Sequence, residues 1–223
     1  MNTQDNEQIA ENEKPEVVNS NMVDTDRLLA FSDGVFAVAI TLLILDIHVP
    51  PVADTVGHGG LAHALLAQWP SYFSYVLSFI TVGITWINHH QMFRYIARTN
   101  HGLLVFNALL LMVLTFIPFP TALLAEYIQE PNEQKVAALT YGIIFTLSAL
   151  AFNLVWWYAA YSGLTAEKLD PKLARGMAIR YIPGPILYII ATASSLISAT
   201  LAVVLYGAMA IFYLVPNSAL GTQ

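Results

Sequence analysis

The 223 residues are 57% hydrophobic and only 11% charged, with a mean hydropathy of +0.59, which lies outside the balance of an ordinary soluble domain. The absence of cysteine excludes disulfides, thiol catalysis and cysteine metal sites. The net charge of −6 is misleading, because seven of the fifteen acids precede Arg27.

In chain order, residues 1–26 form a polar, aromatic-free stretch that cannot bury enough apolar area to order itself, and they are expected to be a disordered acidic tail. The stretch has neither the basic start nor the apolar core of a signal peptide. The apolar runs that follow predict helical spans at 27–47, 70–90, 103–123, 136–160, 182–198 and 200–215. Runs of roughly 20 residues suffice to cross about 30 Å of hydrocarbon as a helix. None alternates as an outer-membrane strand does. The expected fold class is therefore an all-α integral membrane protein of six transmembrane helices. Residues 27–216 make one domain and 217–223 a short tail.

Ile186 to Val215 is too long for one crossing and offers only serine and alanine for a turn, so the division between spans five and six could also be one long tilted helix. With six spans both termini share a side. Lys14, Arg27, Arg94, Arg98, Lys168, Lys172, Arg175 and Arg180 fall there, against Lys135 opposite, so the termini are expected to be cytoplasmic. The loop after span one carries paired prolines and clustered glycines, with a short helix expected around Leu61 to Gln68. The segment 163–176 is expected to be a cytoplasmic loop. Trp69, Tyr72, Tyr127, Trp156, Trp157 and Tyr213 are placed as headgroup-level anchors.

Ionisable groups inside a span are costly and mark function by default. Asp33 is the clearest. Arg27 is six residues away, about 120° around the helix, so the two cannot pair as helix neighbours. Asn88, His89, His90 and Arg94, at the end of span two, are its expected partners. Asp33 then either locks span one to its neighbour or takes part in gating. Adjacent residues such as His89 and His90 point about 100° apart, which does not suit one metal ion. No resident metal or other cofactor is expected, and no nucleic-acid partner.

Val38, Leu42 and Leu45 form a narrow seam at i, i+4, i+7, with Thr41 on its flank and Gly34 a turn below. Spacing alone leaves packing and pore both open. Asp46 is a candidate for concentrating cations at an outer mouth. The TVGIT run at Thr81–Thr85 lies inside a continuous apolar span, so a packing glycine explains it better than a carbonyl filter. The same holds for Gly142. Ser194, Ser195 and Ser198 are read as packing residues. No phosphate-binding loop, dinucleotide fingerprint or HExxH motif is present, and an enzyme is not expected.

At Arg27, Phe31, Ser32 and Asp33 the chain resembles the R-x-x-x-F-S-D signature of the transmembrane protein 175 family, potassium channels of endolysosomes with bacterial and archaeal relatives. The likeness continues through GVFAVAITLLILDI and the WINHH end of span two. The resemblance implies a homotetramer in a prokaryotic cell membrane. The first helix of each subunit would line a central pore, and potassium would be the permeant ion. It places the apolar constriction at Val38, Leu42 and Leu45, with Thr41 contributing to selectivity. Val38 departs from the commoner Ile or Leu, which leaves the degree of potassium selectivity open, and an apolar ring that passes a largely hydrated ion predicts only weak selectivity over sodium. Arg27, Phe31, Ser32 and Asp33, with Asn88, His89 and His90, would form a gating network at the cytoplasmic end. A proton-linked small-solute transporter and a non-conducting membrane scaffold are the alternatives.

Overall fold

The computed structural model describes residues 20–52, 59–166 and 169–214. Its elements are α1 (Ser20–Leu42), a 3-10 turn (Leu43–Asp46), α2 (Gly60–Ala67), α3 (Trp69–Phe93), α4 (His101–Phe116) and α5 (Pro118–Tyr127). They are followed by α6 (Gln134–Tyr161), α7 (Pro171–Tyr181), α8 (Pro183–Ser194) and α9 (Ala199–Leu214). Apart from one isolated antiparallel bridge between Ile96 and Thr165, every regular element among the described residues is helical.

Among the described residues five stretches are long and apolar enough to cross a membrane: Thr25–Asp46, Trp69–Phe93, His101–Tyr127, Gln134–Tyr161 and Lys172–Ser194. Ala199–Leu214 is apolar but shorter. The first helix begins at Ser20, inside the stretch expected to be a disordered tail, while residues 1–19 and the expected tail 217–223 lie outside the described residues. Of the loop expected to be cytoplasmic, Pro171–Gly176 is already helix α7.

Prolines shape two of the spans. Pro118 has no N–H to give the Leu114 carbonyl, which takes the Ile117 N–H at 3.1 Å instead, and the span breaks into α4 and α5. Pro185 likewise leaves the Tyr181 carbonyl without its helical donor. The Asn153 side chain of α6 fills that place, its Nδ2 donating to Tyr181 O at 3.1 Å and to Ala149 O at 2.9 Å. Ile182 keeps helical angles, so α7 and α8 form one interrupted rod.

The α8–α9 division is real among the described residues, and the serines make it. Ser194 and Ser195 donate to the Ala191 and Thr192 carbonyls, and Ser198 Oγ accepts the Leu201 N–H at the start of α9. They are turn and cap residues rather than packing residues. Lys135 Nζ reaches the Leu196 carbonyl at 3.2 Å, which places this turn beside the start of α6. At the opposite end the α3–α4 and α6–α7 links are tied together, with Ala97 and Arg98 N–H on Leu164 O and Ala166 N–H on Tyr95 O. The Tyr213 hydroxyl lies beside Gly184 and brings the end of α9 to that same side.

Between lipid-embedded helices, close packing rather than water exclusion holds the bundle, so small residues and fitted rings matter most. Tyr141, Trp156 and Tyr206 are fully enclosed. Trp156 is thus a core residue, not the headgroup anchor expected, whereas Trp69 and Trp157 are about half exposed. A Cβ at Gly142 would collide with the hydroxyls of Tyr206 and Thr192, while one at Gly83 would meet nothing within the subunit. Gly142 is a packing glycine within the subunit, and Gly83 packs against nothing there. Gly142→Ala should cost about 1–3 kcal/mol by overpacking, and Gly83→Ala should be neutral; thermal unfolding of the two variants in detergent checks the contrast.

Candidate functional site

Two faces of α1 and of the 3-10 turn that continues it have different fates. Leu28, Ser32, Phe36, Ala39 and Leu43 recur at three- and four-residue spacing and are at most 9% exposed, packed against α3, α4 and α5. The other face is bare: Phe31 is 63% exposed, Val38 53%, Leu42 39% and Leu45 65%. Gly34 and Thr41 share that surface. Thr41 Oγ1 donates to Val38 O at 2.9 Å, back onto its own helix. The seam read from spacing is therefore not used by its own subunit.

The buried face is held by a directed chain of hydrogen bonds. Ser32 Oγ donates to Leu28 O at 2.8 Å, so its oxygen is left to accept, and Asn107 Nδ2 of α4 donates to it at 2.9 Å. Asn107 Oδ1 then accepts from His89 Nε2 of α3 at 2.9 Å. Each step forces the next, which fixes the His89 tautomer with the proton on Nε2. The His89 ring lies 5.3 Å from Phe36 and 4.5 Å from Phe93, and its Nδ1 has no partner. Three helices are thus tied at one level by three fully buried polar side chains.

Asp33 is not part of that chain. Its Oδ1 accepts from Trp86 Nε1 at 2.9 Å, and the Trp86 ring lies 6.2 Å from that of His90. This second tie joins α1 to α3 on the half-exposed side. The expected partners of Asp33 are therefore corrected. Arg27 is exposed and does not pair with it, His89 bonds Asn107, and Asn88 and Arg94 line a separate cavity. His89 is in the core and His90 at the surface, so the two imidazoles do not converge on one point. Asp46 closes the 3-10 turn half-buried, with Oδ2 enclosed and unpartnered, so only part of its carboxylate faces outward.

Trp86 and Asn107 were missed in the sequence. Trp86 reads as a membrane aromatic, although it stands one helical turn before His90. Asn107 is a lone amide in HGLLVFNALLL, and an amide in such a run needs a partner. Trp86→Phe keeps the ring and removes the donor. It should cost about 0.5–1.5 kcal/mol, while Asp33→Asn, which keeps an acceptor, should cost less; melting of the two variants in detergent checks the order.

A bundle of long apolar helices, its first member tied by buried polar groups and bare on one apolar edge, defines an all-α, multi-pass membrane protein. The sequence profile described as "Endosomal/lysosomal potassium channel TMEM175" matches residues 27–118. "Potassium channel B446_29190" of Streptomyces collinus is 47% identical over 193 residues, covering 86% of this chain and 92% of its own. "Endosomal/lysosomal proton channel TMEM175" of Gallus gallus is 34% identical over 63% of this chain and 29% of its own. The crystal structure of a lysosomal potassium-selective channel TMEM175 homolog from Chamaesiphon minutus superposes with a TM-score of 0.78 at 43% identity, covering 86% of this chain and 97% of that one. The chain belongs to the TMEM175 family, a family of ion channels rather than enzymes.

Proposed function

We propose that this protein conducts potassium passively, with weak selectivity over sodium, along an axis lined by α1 from four copies of the chain. The observation that carries the reading is the bare seam of Phe31, Val38, Leu42 and Leu45 on a helix whose opposite face is fully packed. A seam of that kind needs lipid or a second copy against it. The Streptomyces collinus relative, matched over 92% of its length and named a potassium channel, supports placing the seam on an ion path.

Val38, Leu42 and Leu45 form successive apolar rings in this assembly. An apolar ring passes an ion only when wide enough for the ion to keep most of its water, and when narrow it gates by dewetting. Size discrimination is then modest, and the short Val38 side chain makes it weaker still. Thr41 flanks the rings, Asp46 faces the outer mouth, and the Ser32–Asn107–His89 and Asp33–Trp86 ties set the tilt of α1. Arg27 and Phe31 stand at the entrance.

The interrupted α7–α8 rod and α9 supply the fifth and sixth crossings. The end that gathers Arg94, Arg98, Lys172, Arg175 and Arg180 faces the cytoplasm of a prokaryotic cell membrane, following the positive-inside rule. Potassium is a permeant, not a resident cofactor.

The test is flux in proteoliposomes under opposed potassium and sodium gradients. Potassium efflux a few-fold faster than sodium supports the reading, and no flux from tetrameric protein favours a scaffold. The Gallus gallus relative, named a proton channel, favours a second reading in which protons use the same axis. Acidification driven by a pH gradient without added potassium distinguishes it.

A further inference from the structure

Beyond the proposed pore, α3 and α7 enclose a second polar site. A cavity of about 260 Å³ lies where α3 ends against α7, walled by Asn88, Gln91 and Arg94 on one side and Leu173, Met177 and Arg180 on the other, with two tyrosines between. Its volume is below the roughly 300–1,000 Å³ of sites for drug-sized ligands. Among the described residues no acid lines it. The two arginines face it from different elements, and neither has a hydrogen-bond or ion-pair partner among the described residues. Asp170, the nearest described acid along the chain of α7, is committed to capping that helix, its carboxylate accepting from Lys172 N–H at 2.8 Å.

Two unpaired guanidinium groups beside two carboxamides make a concentration of donors with no matching acceptor. Guanidinium forks match phosphate oxygens in geometry and charge. The cavity also sits at the right depth. The span Trp69–Phe93 ends one residue before Arg94, and Leu173 and Met177 give the pocket an apolar side on a helix otherwise exposed at Lys172 and Arg175. A basic pocket between helices at the end of a span is suited to a lipid headgroup. A purely structural account has Arg94 complementing the C-terminal dipole of α3. That account leaves Arg180, on another helix but at the same cavity, unexplained.

We propose that this cavity binds the phosphate of an acidic phospholipid, gripped between Arg94 and Arg180 with its acyl chains running along the α3–α7 surface. The ligand then bridges two elements that are joined here by few direct contacts of their own. The site is remote in chemistry from the α1 seam and does not depend on whether that seam conducts.

The test uses the full chain in mixed phosphatidylcholine and phosphatidylglycerol micelles, with native mass spectrometry counting retained lipid. Wild type should prefer phosphatidylglycerol by a factor on the order of 30, and each arginine removed should cost on the order of fivefold. Arg94→Gln with Arg180→Gln should therefore abolish the preference, and Gln91→Glu should weaken it with both arginines in place. Arg175→Gln, on the exposed side of α7, should leave it unchanged. No preference in wild type, or an equal loss in Arg175→Gln, would overturn the proposal. Displacement of the lipid by millimolar inorganic phosphate would overturn the lipid assignment in favour of free phosphate. All four substituted side chains are exposed, and Arg94→Lys serves as a folding control that keeps the charge and should retain part of the preference.

Discussion

Asn107→Leu is expected to lower stability by about 1–3 kcal/mol, the usual cost of leaving a buried donor without a partner. The substitution is close to isosteric, so the loss is not that of a cavity. Its origin is His89, whose Nε2 proton points at Asn107 Oδ1 and has no water to turn to, since the side chain is fully buried between Phe36 and Phe93. Ser32 is spared, because its hydroxyl still donates to Leu28 O. Hydrogen bonds between membrane helices average only about 0.6 kcal/mol in double-mutant cycles, because the separated helices find other partners. The orphaned imidazole, rather than the bond itself, therefore sets the size of the effect. The double variant Asn107→Leu with His89→Phe removes the orphan and should recover most of the stability, a coupling that a cycle of four melting curves in detergent measures. Additive losses would show that the chain Ser32–Asn107–His89 does not act as a unit. In liposomes the single variant should also change flux, because α1 loses its tie to α4 while its Asp33–Trp86 tie remains.

The seam and the ties were not equally legible. Val38, Leu42 and Leu45 announce themselves through helical period alone, and all three are exposed, although Leu45 lies in the 3-10 turn that continues α1. The partners of Asp33 were sought among charged and imidazole groups at the nearest span end. The donor chosen by the fold is an indole N–H, which sequence reasoning files under aromatic anchoring. Which of His89 and His90 turns inward depends on where Asn107 lies across the bundle. No spacing within α3 contains that information. What spacing did fix was that the two histidines part company, and they do, one into the core and one to the surface.

The spans show the same limit. Long apolar runs located α3 and α6 to within a few residues, because hydrocarbon thickness sets their length. The region from Pro171 onward was harder. Composition marks PKLARG as a loop, yet Asp170 caps it and the chain stays helical into α8, with Asn153 replacing the donor that Pro185 lacks. A remote amide decides whether those prolines end a helix or merely interrupt it. Trp156 was misplaced for a different reason: its level near the end of α6 is as read, but its ring is on the face that packs into the bundle while Trp157 beside it is half exposed.

The largest functional effect is expected at Leu42. In the tetramer proposed here, Leu42→Ala removes branched hydrocarbon from all four sides of one ring at once, so a small change per subunit becomes a wide change in bore. An apolar constriction resists ions because water leaves it, and a wider ring stays wet. Flux should rise on the order of tenfold, equivalent to about 1.4 kcal/mol off the barrier, and the preference for potassium should fall toward none as both ions pass with their water intact. Leu42→Phe should do the opposite and close the path. The residue is partly exposed in the isolated subunit, so the fold should tolerate both changes. Val204, on the outer surface of α9 and 60% exposed, gives the control, since Val204→Ala removes hydrocarbon from a face that the proposed axis does not use. If Leu42→Ala and Val204→Ala are indistinguishable from wild type in rate and in ion preference, the bare edge of α1 faces lipid or a non-conducting contact. The opposite signs expected for alanine and phenylalanine make the pore reading hard to mimic, because damage to folding lowers flux in both variants and cannot raise it in one.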